Sequence, residues 1–161
     1  MKLPLLIFLS VLTGCVITSS FKKSIEIEAP AAVVFQVITD YESYDERLPM
    51  LHDSIEIVSD VKTGNGVAWE SAGSFKGHKF TSVWTVAEYE QDRKVVIKDL
   101  EGGIGETVLE TEPLSETETL YTMSLSTKMY KPYEKDFFAI YDQEMAIIKA
   151  ESERIYREMG E

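Results

Sequence analysis

The chain has 161 residues, 44% of them hydrophobic and 27% charged, which is enough apolar material for one packed domain and argues against disorder. Its 16 Lys and Arg against 28 Asp and Glu give a net charge of −12, which disfavours nucleic acid binding and electrostatic docking onto anionic lipid. One cysteine and two histidines exclude a disulfide framework and a multi-cysteine or histidine-rich metal site, so we expect no metal and no cofactor.

The N-terminus has the layout of an export signal. A charged start, Met1-Lys2, precedes a mostly apolar run over residues 3–17, which is shorter than the ~20 residues that span a bilayer as a helix. Leu12-Thr13-Gly14-Cys15 resemble the lipobox of bacterial lipoproteins, and this resemblance implies acylation of the Cys15 sulfur and cleavage after Gly14. A plain signal peptide or a short hydrophobic helix is the alternative.

These features predict three parts: a signal peptide over residues 1–14, a tether over 15–23 and a folded domain over 24–161. The tether would reach at most ~30 Å when fully extended. Val16 rather than Asp follows the cysteine, which resembles the outer-membrane sorting choice of Gram-negative lipoproteins. We therefore expect a protein held in the bacterial cell envelope by its acyl chains, facing the periplasm if the cell is Gram-negative.

The folded part reads as a strand, short helices, a meander of strands and a last helix. Residues 24–28 alternate apolar and polar as a half-buried strand, and Pro30 suits the first position of a helix over 31–38. A second short helical or turn segment follows and ends at Pro49. Strand-like runs then cover 52–58, 66–74, 79–90, 94–100, 106–113 and 118–128.

Residues 131–158 form the clearest predicted helix. Apolar and small side chains recur there at alternating spacings of three and four, so they form one stripe along a helix of ~40 Å. The stripe consists of Phe138, Tyr141, Met145, Ile148, Ser152, Ile155 and Met159. Such a helix is long enough to cross a whole sheet, and the sequence predicts a single α+β domain.

Five short motifs accompany this order of elements: IEIEAP at 25–30, VVF at 33–35, DYESY at 40–44, LP at 48–49 and WTVAEY at 84–89. With them, the chain resembles the START/Bet v 1 (SRPBCC) superfamily, most closely its polyketide cyclase/dehydrase branch. The resemblance implies a helix-grip fold, in which a curved antiparallel sheet wraps around the last helix and encloses an apolar cavity. Members of this superfamily mostly bind lipids, sterols or polyketides, and a minority catalyse cyclisations.

Aromatic residues and methionine supply the candidate ligand-binding surface, because they adapt to flexible apolar molecules and Trp and Tyr keep a polar tip. A filled core is the alternative for each of them. The candidate residues are Trp69, Trp84, Tyr121 and Met123 on the strands, with Phe138, Tyr141, Met145 and Ile148 on the last helix.

No catalytic residue is predicted. His52 follows a proline turn and His78 lies in a predicted hairpin turn, so both are expected to be exposed, and no nucleophile or paired-carboxylate motif stands out. We expect a monomer that binds a hydrophobic small molecule or lipid without catalysis. The alternatives are a cyclase-like enzyme, which rests on family analogy, and a structural or partner-binding envelope protein with a closed core.

Overall fold

The computed structural model describes residues 15–100 and 105–160. The predicted signal peptide, 1–14, lies outside the described residues. The described strands are β1 (Val16–Ile27), β2 (His52–Ile57), β3 (Ala68–Phe75), β4 (His78–Glu90), β5 (Lys94–Asp99), β6 (Gly105–Pro113) and β7 (Thr119–Tyr130). The described α-helices are α1 (Ala31–Ile38), α2 (Tyr44–Arg47) and α3 (Glu134–Met159), with 3₁₀ turns at Tyr41–Ser43 and Lys131–Tyr133.

The described strands form one antiparallel sheet in the order β1-β7-β6-β5-β4-β3-β2. Successive hairpins join β2 through β7, and β7 then pairs with β1, so the first and last strands lie side by side. Register shifts in β2 and β4 mark irregularities of the bulge type, which bend strands and increase their twist. The sheet curves around α3, and this arrangement confirms the predicted helix-grip fold.

Helix α3 has 26 residues and is therefore about 39 Å long. Glu134 and Asp136 lie in its first turn and Arg157 in its last turn, which places each charge where it is favourable for the helix dipole. Its predicted start at residue 131 is three residues early, because Lys131–Tyr133 forms a 3₁₀ turn that contains Pro132. Among residues 15–100 and 105–160, no helix is long and apolar enough to cross a bilayer.

Strand β1 corrects the predicted tether. It begins at Val16 rather than Ser24, and every residue from Val16 to Ile27 pairs with β7 in one unbroken register. Ser19 is buried and its hydroxyl donates a hydrogen bond to Glu134 over 2.7 Å, which ties this part of β1 to α3. The tether prediction over 15–23 is therefore wrong. The serines and lysines of this segment interrupt the apolar alternation that predicts a strand. The strand is stabilised by its pairing with β7 rather than by an apolar pattern of its own.

The interior is filled around α1 and open beside it. Val33, Val34, Val37 and Ile38 of α1 pack into the main core cluster together with Met145 and other residues of the sheet and α3. A second, smaller cluster joins buried Leu48, Leu51 and Ile140 to half-buried aromatic rings. Each cluster contributes side chains to the wall of one cavity. The filled-core expectation thus holds for the α1 side of the molecule only.

Candidate ligand cavity

The cavity has a volume of about 290 Å³, close to the lower limit of sites that bind small molecules. Strands β2 to β7, α2, the loop that follows α2 and the first half of α3 all contribute to its wall. Most lining side chains are aliphatic or aromatic. Gly73 lets the loop close on the sheet, because a Cβ atom there would lie 1.9 Å from the carbonyl oxygen of Leu51.

Four of the eight candidate binding residues line the cavity: Trp69, Trp84, Met123 and Tyr141. Trp69 stacks on Tyr41 with ring centroids 4.7 Å apart, so its position in the wall is fixed. The indole nitrogen of Trp84 donates a hydrogen bond to the hydroxyl of Ser71 over 3.2 Å. Both tryptophans therefore present apolar ring surface to the cavity and have defined partners behind it.

The other four candidates do not line the cavity. Tyr121, Met145 and Ile148 are fully buried in the main core cluster, since α1 fills the space between sheet and helix at their level. Phe138 packs on Phe21 of β1, with ring centroids 5.4 Å apart. The predicted stripe on α3 is buried or half-buried from Phe138 to Ile155, whereas Met159 at its end is 69% exposed. Which part of the stripe lines the cavity depends on where α1 packs.

Several wall residues were missed by the sequence reading. Phe75 lies six residues from Trp69, and Phe80 lies four residues from Trp84. Both separations are even, so strand alternation was a signal that could have found these two residues. Phe137 lies next to Phe138, and the true cavity-facing edge of α3 is displaced by one residue from the predicted one. Glu144 is the most consequential residue that was missed.

Glu144 places a carboxyl group in the cavity wall. The residue is only 5% exposed, and its carboxyl has no hydrogen bond to another described residue. Burial raises the pKa of Glu144 from its ordinary 4.5 to about 7, and the nearby positive charge of Arg47 opposes this rise. Near neutral pH this carboxyl is therefore divided between its protonated and charged forms. Its position on an otherwise apolar helix face, four residues from Ile140 and Ile148, was the available sequence signal.

Tyrosine side chains surround this carboxyl. Burial raises the pKa values of Tyr44, Tyr121 and Tyr141, and the charge of Glu144 raises them further. The phenols therefore remain protonated and can act as hydrogen-bond donors. Tyr44 donates to the carbonyl oxygen of Ile38 over 3.3 Å, whereas the buried hydroxyl of Tyr121 has no hydrogen-bond partner among the described residues.

Arg47 supports the site from behind. It is buried and donates hydrogen bonds to the carbonyl oxygens of Val37 and, over 2.8 Å, Asp40. These carbonyls lie at and just beyond the C-terminal end of α1, where a cation is favourable. Its guanidinium also lies 4.5 Å from the ring centroid of Tyr44. Arg47 thus fixes the end of α1 against α2, and it places a positive charge near Glu144.

The expectation that His52 is exposed is wrong. The residue is half-buried in the cavity wall, its Nδ1 is buried without a hydrogen-bond partner among the described residues, and its ring meets Phe80 edge to face at 5.9 Å. Burial lowers the pKa of His52 to about 4, so the ring is neutral at physiological pH. His78 is exposed as predicted, with Nε2 3.4 Å from the hydroxyl of Tyr133.

This arrangement can hold an apolar molecule that carries a polar group. Ring and aliphatic surface would contact the body of such a molecule, and Glu144 could exchange a hydrogen bond or a proton with its polar atom. Within residues 15–100 and 105–160, no three His, Cys, Asp or Glu side chains come together as a metal site would need.

Solved structures share this fold at low sequence identity. The Zhui aromatase/cyclase from Streptomyces sp. R1128 matches with a TM-score of 0.68 and 14% identity over 85% of this chain and 94% of that chain. A START superfamily protein from Mycobacterium smegmatis matches with a TM-score of 0.65 and 15% identity over 87% and 98%. Norcoclaurine synthase from Thalictrum flavum, in complex with dopamine and hydroxybenzaldehyde, matches with a TM-score of 0.62 and 14% identity over 87% of each chain.

No curated protein sequence matches the chain. The family described as polyketide cyclase/dehydrase and lipid transport matches residues 18–153, which include β2 to β7, all but the first two residues of β1, and most of α3. Together with the structural similarities, this match confirms the superfamily that the sequence motifs indicated. The chain belongs to the polyketide cyclase/dehydrase and lipid transport family, within the START/Bet v 1 superfamily.

Proposed function

We propose that this protein is a monomeric lipoprotein of the bacterial cell envelope that binds a hydrophobic small molecule or lipid in its cavity without transforming it. The observation that carries the proposal is an apolar cavity of about 290 Å³ whose wall contains a carboxyl with no hydrogen bond to another described residue. A buried polar group without such a bond needs a functional explanation, and a bound ligand would provide one.

The wall indicates the chemistry of the ligand. Trp69, Trp84 and Phe80 offer ring faces and edges to an apolar body of modest size. At neutral pH the protonated carboxyl of Glu144 can donate a hydrogen bond and its charged form can accept one. We propose a ligand whose hydroxyl or carbonyl group meets Glu144 while the rest of the molecule remains in apolar surroundings.

The membrane anchor is the second part of the proposal. It rests on the lipobox resemblance of residues 12–15, and Cys15 is exposed and free in the described structure. An acylated Cys15 would carry several acyl chains, enough for stable membrane attachment where one chain would not suffice.

Native mass spectrometry of the protein, extracted gently from its own cells, tests both parts. We expect an intact mass that includes the acyl chains and a further non-covalent mass that is released on activation. A protein of full precursor mass would contradict the anchor. A ligand-free protein that also fails to bind fluorescent fatty acids, detected by energy transfer from Trp69 and Trp84, would contradict the carrier function.

A second candidate function is supported by Glu144 alone. A carboxyl with a pKa of about 7, buried beside phenol donors, has the properties of a general acid or base in a cyclase- or dehydrase-like reaction. Glu144→Gln separates the two functions, because it keeps the size of the side chain and removes its proton chemistry. If the variant still binds fluorescent lipid but does not restore function in a deletion strain, catalysis is favoured. If the variant binds the lipid and also restores function, carriage is favoured.

A further inference from the structure

Cys15 occupies a fixed place in the fold. Its carbonyl oxygen accepts a hydrogen bond from the backbone of Lys131 over 3.4 Å, and the next residue, Val16, pairs with Tyr130 at the end of β7. One residue spans no more than about 3.5 Å, so no flexible linker separates the sulfur from the sheet. Any acyl chain on Cys15 would therefore hold this end of the domain, where β1 begins and α3 starts, directly at the bilayer surface.

The cavity wall reaches the same end of the sheet, where Thr127 and Lys128 of β7 are among its lining residues. Lys128 is the one exposed residue among the described residues of the wall, and it pairs with Thr18, only about 10 Å along the strand from Cys15. Half-buried Phe75 and Phe137 also lie here, at the end of β3 and the start of α3. The cavity is closed on its other side by buried Trp69 and Glu144.

A row of aromatic rings connects the position of Cys15 to the cavity. Tyr130, which is 47% exposed, lies 6.3 Å from Tyr133 between ring centroids. Tyr133 lies 6.0 Å from Phe75, and Phe75 lies 5.3 Å from the cavity residue Phe137. Tyrosine is favoured at membrane interfaces, because its ring is apolar and its hydroxyl remains hydrated.

Positive charge collects at this end despite the net charge of −12. Lys76 and Lys131 form ion pairs with Asp136 and Glu134. The exposed Lys79, Lys128 and Lys135 form no ion pair with any residue in the described part of the chain. Asp53 and Glu106 add exposed acids at this end, and Glu106 forms an ion pair with Lys98. Net charge alone argued against an anionic surface as a partner, but the fold places unpaired lysines together.

We propose that this end of the domain, which we call the mouth face, is a lipid-contacting surface that lies on an anionic phospholipid bilayer. It comprises Cys15, the β3–β4 hairpin, the end of β7 and the first turn of α3. The cavity then opens onto the bilayer, and its ligand passes between membrane and cavity without crossing bulk water. This inference rests on the proposed acylation of Cys15.

Depth measurements on the acylated protein test this orientation. Because Cys15 would be blocked by its acyl chain, a cysteine introduced elsewhere can be labelled selectively with an environment-sensitive fluorophore. Lys79→Cys places the label on the mouth face, and Glu116→Cys places it in the β6–β7 turn as a matched exposed control. Strand β7 separates these ends by roughly 37 Å.

In vesicles of phosphatidylethanolamine and phosphatidylglycerol, brominated lipids should quench the label at position 79 at least twofold and leave that at position 116 unchanged. Equal quenching at both positions, stronger quenching at 116 or no quenching at either would overturn the proposal. These quenching measurements involve no ligand, so they test the orientation of the domain even if the protein turns out not to be a carrier. If the intact mass of the protein does not include the acyl chains, the proposed acylation of Cys15 is what is wrong.

Ligand transfer tests the consequence of this orientation. Lys79→Glu with Lys135→Glu reverses charge on the mouth face, and Lys22→Glu with Lys62→Glu makes the same change at exposed lysines elsewhere. We expect the first pair to slow uptake of a dansyl fatty acid from anionic vesicles roughly tenfold, with unchanged binding in solution, and the second pair to alter uptake less than about twofold. Equal slowing by both pairs, or by neither, would overturn the proposal.

Discussion

The substitution Glu144→Gln gives a quantitative test of the buried carboxyl. In the folded protein the pKa of Glu144 is raised from 4.5 to about 7, so the folded state binds this proton more tightly than the unfolded state does. The corresponding stability is fully present below pH 4.5 and is lost as the pH rises through 7. At 1.36 kcal/mol per pH unit, the loss amounts to about 3 kcal/mol above pH 8.

Gln has the size of a protonated Glu and does not titrate. We therefore expect the two proteins to have nearly equal free energies of unfolding at pH 4, with the Glu144→Gln variant more stable by about 3 kcal/mol at pH 8. Urea unfolding of residues 15–161 carrying Cys15→Ser measures this difference at several pH values, and subtraction removes the contributions of all other titrating groups. The full effect should develop between pH 4.5 and 7.

Glu151→Gln is the matched control on the same helix. Hydrogen bonds from Arg154 lower the pKa of Glu151, so its difference curve should have the opposite sign and be small. A wild-type protein that is more stable than Glu144→Gln at pH 8 would refute the reasoning. Such a result would mean that Glu144 is charged in the folded state and that Arg47 compensates for its burial.

The remaining predictions concern the anchor and the cavity wall. Cys15→Ala should abolish labelling by a clickable fatty acid and leave precursor in the cell, and equal labelling of the variant would disprove acylation at this residue. Ser82→Leu fills the cavity at a buried hydroxyl that lacks a partner among the described residues, so fluorescent-lipid binding should be lost with little change in the melting temperature. Ser152→Leu makes the same change in the filled part of the interior, and should destabilise the fold by about 1–3 kcal/mol while Leu at position 82 does not. Met145→Trp should likewise lower the urea midpoint, because Met145 is packed in the main core cluster, and unchanged stability would mean that open space reaches that level of α3. The pKa of His52 is lowered to about 4, so the stability it contributes is lost as the pH falls from 6.5 through 4, and His52→Gln should flatten this acid limb in a urea series.

The fold was predictable because its signals are local and repeated. Alternation in the strands and the stripe on α3 each have a fixed period, and both are seen in the structure. Strand β1 was not fully predictable, since Thr18, Ser19 and Ser20 become a strand only through pairing with β7. The β7 partners of these three residues lie more than a hundred positions away in the sequence.

The site was predictable only in part. Trp69 and Trp84 could be identified as wall residues because large side chains on inward strand faces must meet the interior. Glu144 and Met145 are neighbours on one helix, yet one lines the cavity and the other is packed in the core. The position of α1 decides between these environments, and no local pattern in α3 encodes it.

The early start of β1 has a consequence for biogenesis. On the proposed anchoring, the bond to be cleaved, between Gly14 and Cys15, lies one residue before a strand that is paired along its whole length. A peptidase has to bind the residues beside this bond, and residues of β1 that are already paired with β7 are not free to enter an active site. Strand β1 is also an edge strand, with β7 as its only neighbour in the described sheet. The remaining strands can therefore assemble first, and on this anchoring β1 would pair with β7 after cleavage has removed residues 1–14.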